Sequence, residues 1–199
     1  MSLRFCDIYD LRISVRGTLP PGPKIVVMNH LGYVDPMLFG ALEAYLSIAK
    51  SEVARWPGVG DLARALGVLF VVRGDAYSGF RVLREVRRAL DAGATVLNFP
   101  EGTTSDGRDV LPFHRGVFGV ARHAGVPVVP VHLRFSNPDL AWIDDQTFMP
   151  HFLKFLGSES EAVELQILGA IEPGAAESAE GLAEHARQAL RRVDPARLS

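Results

Sequence analysis

The chain holds 199 residues, 48% of them hydrophobic, with 21 Lys+Arg against 23 Asp+Glu and a single cysteine, Cys6. This composition excludes intrinsic disorder, the lone thiol excludes an internally disulfide-stapled scaffold, and a formal charge of −2 argues against a general nucleic-acid binder. A chain of this length buries roughly 70% of its unfolded surface and is expected to form one domain over residues 1–199.

In chain order, Leu11–Arg16 reads as a first strand, closed by the turn material Gly17–Pro23. Ile25–Met28 is an apolar, β-branched run that ends in Asn29-His30, and Asp35-Pro36 looks like an N-cap followed by a first-turn proline, opening a helix to about Tyr45. Leu46–Ala49 is a further strand leading into Lys50, Val59–Leu66 a short helix, and Val68–Val72 a buried strand that ends at Arg73. Ser78 is expected to cap a helix over Gly79–Ala92 with an apolar stripe of Phe80, Leu83, Val86 and Leu90; Arg81, Arg84, Arg87 and Arg88 sit largely off it. Thr95–Phe99 and Val128–Phe135 are strands around a helix from about Arg115 to Ala124. Ala162–Leu168 is another such run, and Ser178–Val193 a closing amphipathic helix. Strands alternating with helices predict an α/β domain with a largely parallel sheet flanked by helices.

No stretch suits a bilayer crossing. The longest run without Asp, Glu, Lys or Arg is the 11 residues His123–Leu133, against about 20 for a spanning helix. The opening MSLRFCDIYD also lacks the apolar region of about 7–15 residues that a secretory signal requires. The expectation is a soluble or surface-attached chain without signal peptide or transmembrane helix.

Three strand ends carry chemically useful residues, and ligands collect at the carboxyl ends of such strands. His30 and Asp35 form His-x4-Asp. Six histidines and 12 aspartates produce that spacing by accident with odds of about one in three, but here it brackets a strand-to-helix turn where the carboxylate can fold back on the imidazole. Such a pair fixes the tautomer and leaves one nitrogen to take a proton from a hydroxyl; the same spacing also fits a simple helix cap beside an ordinary loop histidine. Phe99-Pro-Glu-Gly-Thr-Thr-Ser105 is a turn whose N–H groups and hydroxyls suit an anion or form an ordinary Ser/Thr turn, and Arg73 is a phosphate-binding or a surface arginine.

Together, Asn29-His30-x4-Asp35, Gly67-x2-Phe70-x2-Arg73, Phe99-Pro-Glu-Gly-Thr103 and Val126-Pro-Val-Val-Pro-Val131 occur in an order and spacing that resembles the glycerolipid acyltransferases, over about residues 11–172. In particular the chain resembles the 1-acylglycerol-3-phosphate (lysophosphatidate) acyltransferases. The resemblance implies the glycerolphosphate acyltransferase-like α/β fold and acyl transfer from acyl-CoA or acyl carrier protein to a lysolipid hydroxyl. It implies His30 as general base oriented by Asp35; Asn29, Lys50, Arg73, Glu101, Gly102, Thr103 and Thr104 as the substrate-binding set; and Pro130 lining or supporting the acyl site. It also implies no cofactor beyond the donor, no metal, and peripheral work at the cytoplasmic membrane face. Lysophosphatidate is the first acceptor on this reading. Two departures open others, such as lyso-ornithine lipid or a lysophospholipid. Thr104 stands where the family commonly has Arg, and the Phe-Lys-x-Gly pattern reads Phe113-His114-Arg115-Gly116, although Arg115 could restore one charge.

Rival readings are a thioester or lipid hydrolase that applies the same base to water, and a non-catalytic lipid-binding protein. His114, His123 and His132 recur every nine residues, which matches no zinc pattern. The arginine row on the Gly79–Ala92 helix reads as a solvated face, or as one that attracts anionic headgroups or acyl carrier protein. Phe148–Leu156, with Trp142 upstream, packs on the sheet or, if exposed, enters the lipid interface.

Overall fold

The computed structural model describes residues 11–56, 59–65, 67–72, 74–143, 147, 150–151, 153–154, 161–174 and 178–193. The apolar runs become strands β1 (Leu11–Arg16), β2 (Lys24–Met28), β3 (Leu46–Lys50), β4 (Leu69–Val71), β5 (Thr95–Asn98), β6 (Val128–Phe135) and β7 (Glu161–Ile167). They pair into a seven-stranded sheet in the order β1-β7-β6-β2-β5-β3-β4. Strands β2 to β6 are mutually parallel, whereas β7 runs antiparallel to β6 and carries β1 parallel beside it. The expected mostly parallel α/β sheet is therefore the observed one, with a reversed edge.

Strand β2 is buried along its whole length, which explains its continuous apolar run: a central parallel strand is covered on both faces. Its side chains alternate. Ile25 and Val27 join Val96 and Val128 in one layer, and Val26 and Met28 join Leu97 and Val129 in the other. Helices α1 (Asp35–Phe39), α2 (Val59–Ala65), α3 (Ala76–Asp91), α4 (Gly116–Ala124) and α5 (Ala179–Arg191) connect or flank the strands. The Ile25 layer is closed by Val82, Val86 and Leu90 of α3, Phe118 and Ala121 of α4, and Leu182 and Ala186 of α5. The other layer is closed by Leu38 and Phe39 of α1 with the loop residues Leu31, Val34 and Leu140. Gly17 ends β1 at φ +86°, and a Cβ there would stand 2.4 Å from the Ile167 carbonyl oxygen, so the turn against β7 admits only glycine.

Two helices differ from their sequence expectation for local reasons. Helix α1 ends at Phe39 rather than near Tyr45. The Gly40 N–H still reaches Pro36 O at 3.0 Å, but those of Ala41 and Leu42 bond only three residues back, to Leu38 O and Phe39 O, the tightening that ends a helix. Asp35 does not cap it: Val34 holds the cap position without a side-chain bond, and the carboxylate turns toward the preceding loop.

Helix α3 begins earlier than expected, capped by Asp75, whose Oδ1 accepts from Tyr77 N at 2.9 Å. Ser78 is buried inside the helix, where its Oγ accepts from Val72 N at 2.9 Å. The inward stripe is Ser78, Val82, Val86 and Leu90. Phe80, two residues from Val82 and so roughly 160° round the helix, is 66% exposed instead of buried.

The Phe148–Leu156 segment is described only in part. Leu153 is exposed, and Lys154 Nζ donates to Asp139 O at 2.9 Å. Phe148, Met149, Phe152, Phe155 and Leu156 lie outside the described residues, as does Cys6. Among the described residues no helix is long and apolar enough to cross a membrane.

Candidate active site

The parallel strands β2, β3 and β5 deliver Asn29-His30, Lys50 and the Phe99–Ser105 turn to one edge of the sheet. The β2–β6 ladder has its last rung at Met28↔Val131, and Asn29 extends it with its side chain. The Asn29 amide nitrogen donates to Leu133 O at 2.9 Å and its oxygen accepts from Leu133 N at 2.7 Å, imitating a backbone rung. Asn29 is buried and is not among the described residues lining the cavity, so its visible work is to hold the His30 turn on β6. Asn29→Ala is expected to cost roughly 2 kcal/mol, since it strands a buried N–H and C=O of Leu133. Denaturant midpoints check this; unchanged stability with a raised KM marks a substrate contact instead.

Asp35 is fully buried, and its Oδ2 gathers three donors: His30 Nδ1 at 2.8 Å, Leu31 N at 2.7 Å and Gly32 N at 2.9 Å. The carboxylate can only accept, so Nδ1 carries a proton, and in the neutral ring the lone pair lies on Nε2. Phe99 stacks on the imidazole, with centroids 4.2 Å apart and planes at 24°, which fixes the ring's plane. The ring keeps 21% side-chain exposure and lines the cavity described below.

The His30 backbone is held from the β5 side. Glu101 Oε1 accepts from His30 N at 3.1 Å, Glu101 Oε2 accepts from Leu111 N at 3.0 Å, and Ser105 N donates to His30 O at 2.8 Å. Glu101 is 5% exposed, and burial raises its carboxyl pKa against the opposing effect of the two N–H donors. Gly102, at φ +67°, supplies the left-handed turn that aims this carboxylate inward. Arg187 of α5 donates to the carbonyls of Val110 and Leu111, each at 3.0 Å, and so braces the loop that Glu101 grips.

A cavity of about 800 Å³ opens beside His30, within the roughly 300–1,000 Å³ usual for small-molecule sites. Met37, Ile48, Val53, Val71, Leu83 and Val117 give it apolar walls. Lys50, Gly102, Thr103 and Thr104 line it too, whereas Glu101 and Pro130 are not among its described lining residues. Pro130 stands opposite Val27 in the sheet, its carbonyl accepting from Leu168 N at 2.9 Å. Arg73 lies outside the described residues. Lys50 is the one Lys or Arg among the described lining residues; Glu52 and Asp75 line the cavity as well. Arg115 points elsewhere and pairs with Glu180 of α5.

Motif reasoning missed the aromatic wall of Tyr33, Trp56 and Trp142. Tyr33 stands between His30 and Asp35, the one hint in the sequence. Trp142 is brought in by its N–H, which donates to Leu31 O at 2.7 Å, and it meets Trp56 edge-to-face at 5.2 Å. The three evenly spaced histidines go to different places. His114 lines the cavity, His123 Nδ1 bonds Gly119 O at 2.6 Å, and burial within β6, aided by Arg134, pushes His132 down to about 4. Among the described residues no three His, Cys, Asp or Glu side chains stand close enough to hold a metal ion.

Comparison with known proteins places this geometry. A family model described as "Acyltransferase" matches residues 12–134. The lyso-ornithine lipid O-acyltransferase of Pseudomonas aeruginosa is 34% identical over 193 residues, covering 94% of this chain and 74% of that protein. The human 1-acyl-sn-glycerol-3-phosphate acyltransferase alpha is 38% identical over 140 residues, covering 66% of this chain and 48% of its own. The crystal structure of the 1-acyl-sn-glycerophosphate acyltransferase PlsC from Thermotoga maritima superposes with a TM-score of 0.71 at 27% identity, over 96% of this chain and 74% of that one. This chain spans between 59% and 74% of the length of the lyso-ornithine lipid relatives it matches. With that fold, and with the family model matched over more than half its length, the chain belongs to the acyltransferase family of enzymes.

Proposed function

We propose that the protein transfers an acyl group from the thioester of acyl-CoA or acyl carrier protein to the free hydroxyl of a lysolipid, and that the acceptor is lyso-ornithine lipid. The observation that carries the reading is the His30 ring, held through Nδ1 by the buried Asp35 and exposed at the wall of an apolar cavity. Nε2 takes the hydroxyl proton as the alcohol oxygen attacks the thioester carbonyl. The tetrahedral intermediate then expels the thiolate, which takes the proton from the imidazolium. A thiol of pKa about 8.5 leaves far more readily than an alcohol, so the base on the acceptor is the chief catalytic requirement and no acyl-enzyme is needed.

The acceptor follows from charge. A phosphate monoester suits a cluster of cations, yet Thr104 replaces the family's arginine on the cavity wall and Arg115 is engaged with Glu180. Lyso-ornithine lipid presents one carboxylate and one ammonium, which Lys50 and the acids Glu52 and Asp75 complement. The relative matched over 94% of this chain bears that activity in its name. Lysophosphatidate, the family's commoner acceptor, is the second reading, favoured by the 38% identity to the human enzyme.

Thiol release from acyl-CoA, measured with a panel of lyso-ornithine lipid, lysophosphatidate and other lysophospholipids and followed by product mass, tests this. The expected outcome is an O-acylated product with a preference for lyso-ornithine lipid of roughly tenfold or more, the size of one charged hydrogen bond. Preference for lysophosphatidate moves the assignment to the second reading; release independent of acceptor makes the protein a thioester hydrolase.

A further inference from the structure

Helix α3 has an outer face that folding does not use. At 100° per residue, Tyr77, Phe80, Arg81, Arg84 and Arg88 fall on one stripe, opposite the buried Ser78, Val82, Val86 and Leu90. Tyr77 is 77% exposed and Phe80 66%, and Arg81, Arg84 and Arg88 are exposed beside them. The aromatic end of the stripe meets the cavity rim: Val72, itself 47% exposed, lines the cavity together with Gly74, Asp75 and Gly79. Val72 thus stands in solvent at the lip of the site, and Tyr77 and Phe80 stand exposed on the first turns of the helix that begins there, with arginines one turn behind.

The charges on this helix are of two kinds. Arg88 is spent on Glu85 at 2.7 Å and Arg87 on Asp91 at 2.8 Å. Arg81 and Arg84 have no ion-pair partner among the described residues. Asp75, at the helix cap, is the acid nearest the aromatic pair in the chain, and its carboxylate is turned to Tyr77 N.

We propose that this face of α3 docks on a bilayer containing anionic phospholipid. Tyr77 and Phe80 enter the boundary between headgroups and acyl chains, and Arg81 and Arg84 contact lipid phosphates. Exposed aromatics backed by arginines are the composition of an interfacial anchor, and a protein partner recognised by charge alone needs no such aromatic tip. The proposal rests on the acyl-transfer reading, to which it adds a route: docking holds the cavity mouth against the leaflet where a lysolipid resides. A single stripe of this size gives weak, reversible binding, in which each arginine near an anionic surface contributes roughly fivefold.

Co-sedimentation of the full chain with phosphatidylcholine vesicles, with and without phosphatidylglycerol, tests it, alongside thiol release with a short-chain acceptor that stays monomeric in water. The Tyr77→Ser/Phe80→Ser variant is expected to lose roughly tenfold or more in binding to both vesicle types. Arg81→Gln/Arg84→Gln is expected to lose only the increment that phosphatidylglycerol adds, again tenfold or more. Both variants keep wild-type melting temperature and soluble turnover, because none of these side chains is packed or lines the cavity. Wild-type binding by the aromatic variant, or no vesicle binding by the wild type, overturns the proposal. So does an arginine variant that binds vesicles normally but loses turnover with an acyl carrier protein donor, since the face then meets a protein. Absence of soluble turnover in wild type and variants alike overturns the acyl-transfer reading and leaves the vesicle result to decide the docking face separately.

Discussion

Replacing His30 with alanine is expected to lower acyl transfer by roughly 10²–10⁴-fold, the usual contribution of a general base, while the protein still folds. Both halves of that expectation come from how the residue is held. The turn does not depend on the imidazole: the His30 N–H is bonded to Glu101, its carbonyl accepts from Ser105, and Asn29 fastens the preceding residue to Leu133. Removing the ring leaves Asp35 with two of its three donors, Leu31 N and Gly32 N, at a cost of about 1–2 kcal/mol. Among the described lining residues, His30 is the imidazole that a buried carboxylate orients. Glu101, though a carboxylate, is turned to His30 N and Leu111 N and is not among the described lining residues. Single-turnover thiol release against a thermal melt separates the two effects. Retention of more than about a tenth of the activity with an intact fold removes His30 from the chemistry.

The sheet was legible because its signal is local. Ile25–Met28 and Val128–Phe135 are apolar and β-branched over consecutive residues, as covered parallel strands must be, and the alternation with helices fixes their common direction. The reversal of β7 was not legible, since the Glu161–Ile167 pattern fits either direction and only pairing with β6 decides it. The phase of α3 failed for a related reason. Phe80 and Val82 are both apolar, and nothing within the helix says which belongs inside; the sheet chose Val82.

Among the site residues, no local signal separates those that touch the cavity from those that hold the ones that do. Asn29 and Glu101 stand in the same motifs as His30 and Thr103. Their bonds run to Leu133, 104 residues away, and to His30, 71 residues away, and such distances have no periodicity to betray them. Tyr33, Trp56 and Trp142 escaped because an aromatic residue in a loop carries no motif until its neighbours are known.

Asp35 offers the sharper test of the pair, because two substitutions there are expected to part company. Its Oδ2 accepts all three donors, while Oδ1 is buried with no hydrogen-bond partner among the described residues. An asparagine can therefore place its carbonyl oxygen at the Oδ2 position and its amide nitrogen at the other without opposing any donor. Asp35→Asn is expected to keep the turn and the Nδ1–H tautomer, losing only the negative charge that makes Nε2 basic and stabilises the imidazolium. Activity then falls by roughly 10–100-fold, less than where an asparagine forces the wrong tautomer, which costs about 10⁴. Asp35→Ala instead leaves the N–H groups of Leu31 and Gly32 buried without an acceptor, at about 3 kcal/mol or more, and frees the ring. It is expected to lower both the melting temperature and the activity, the latter to the level of His30→Ala. Equal loss of stability in the two variants means that the amide does not adopt this orientation. Equal activity of Asp35→Asn and wild type means that the charge plays no part in making His30 a base.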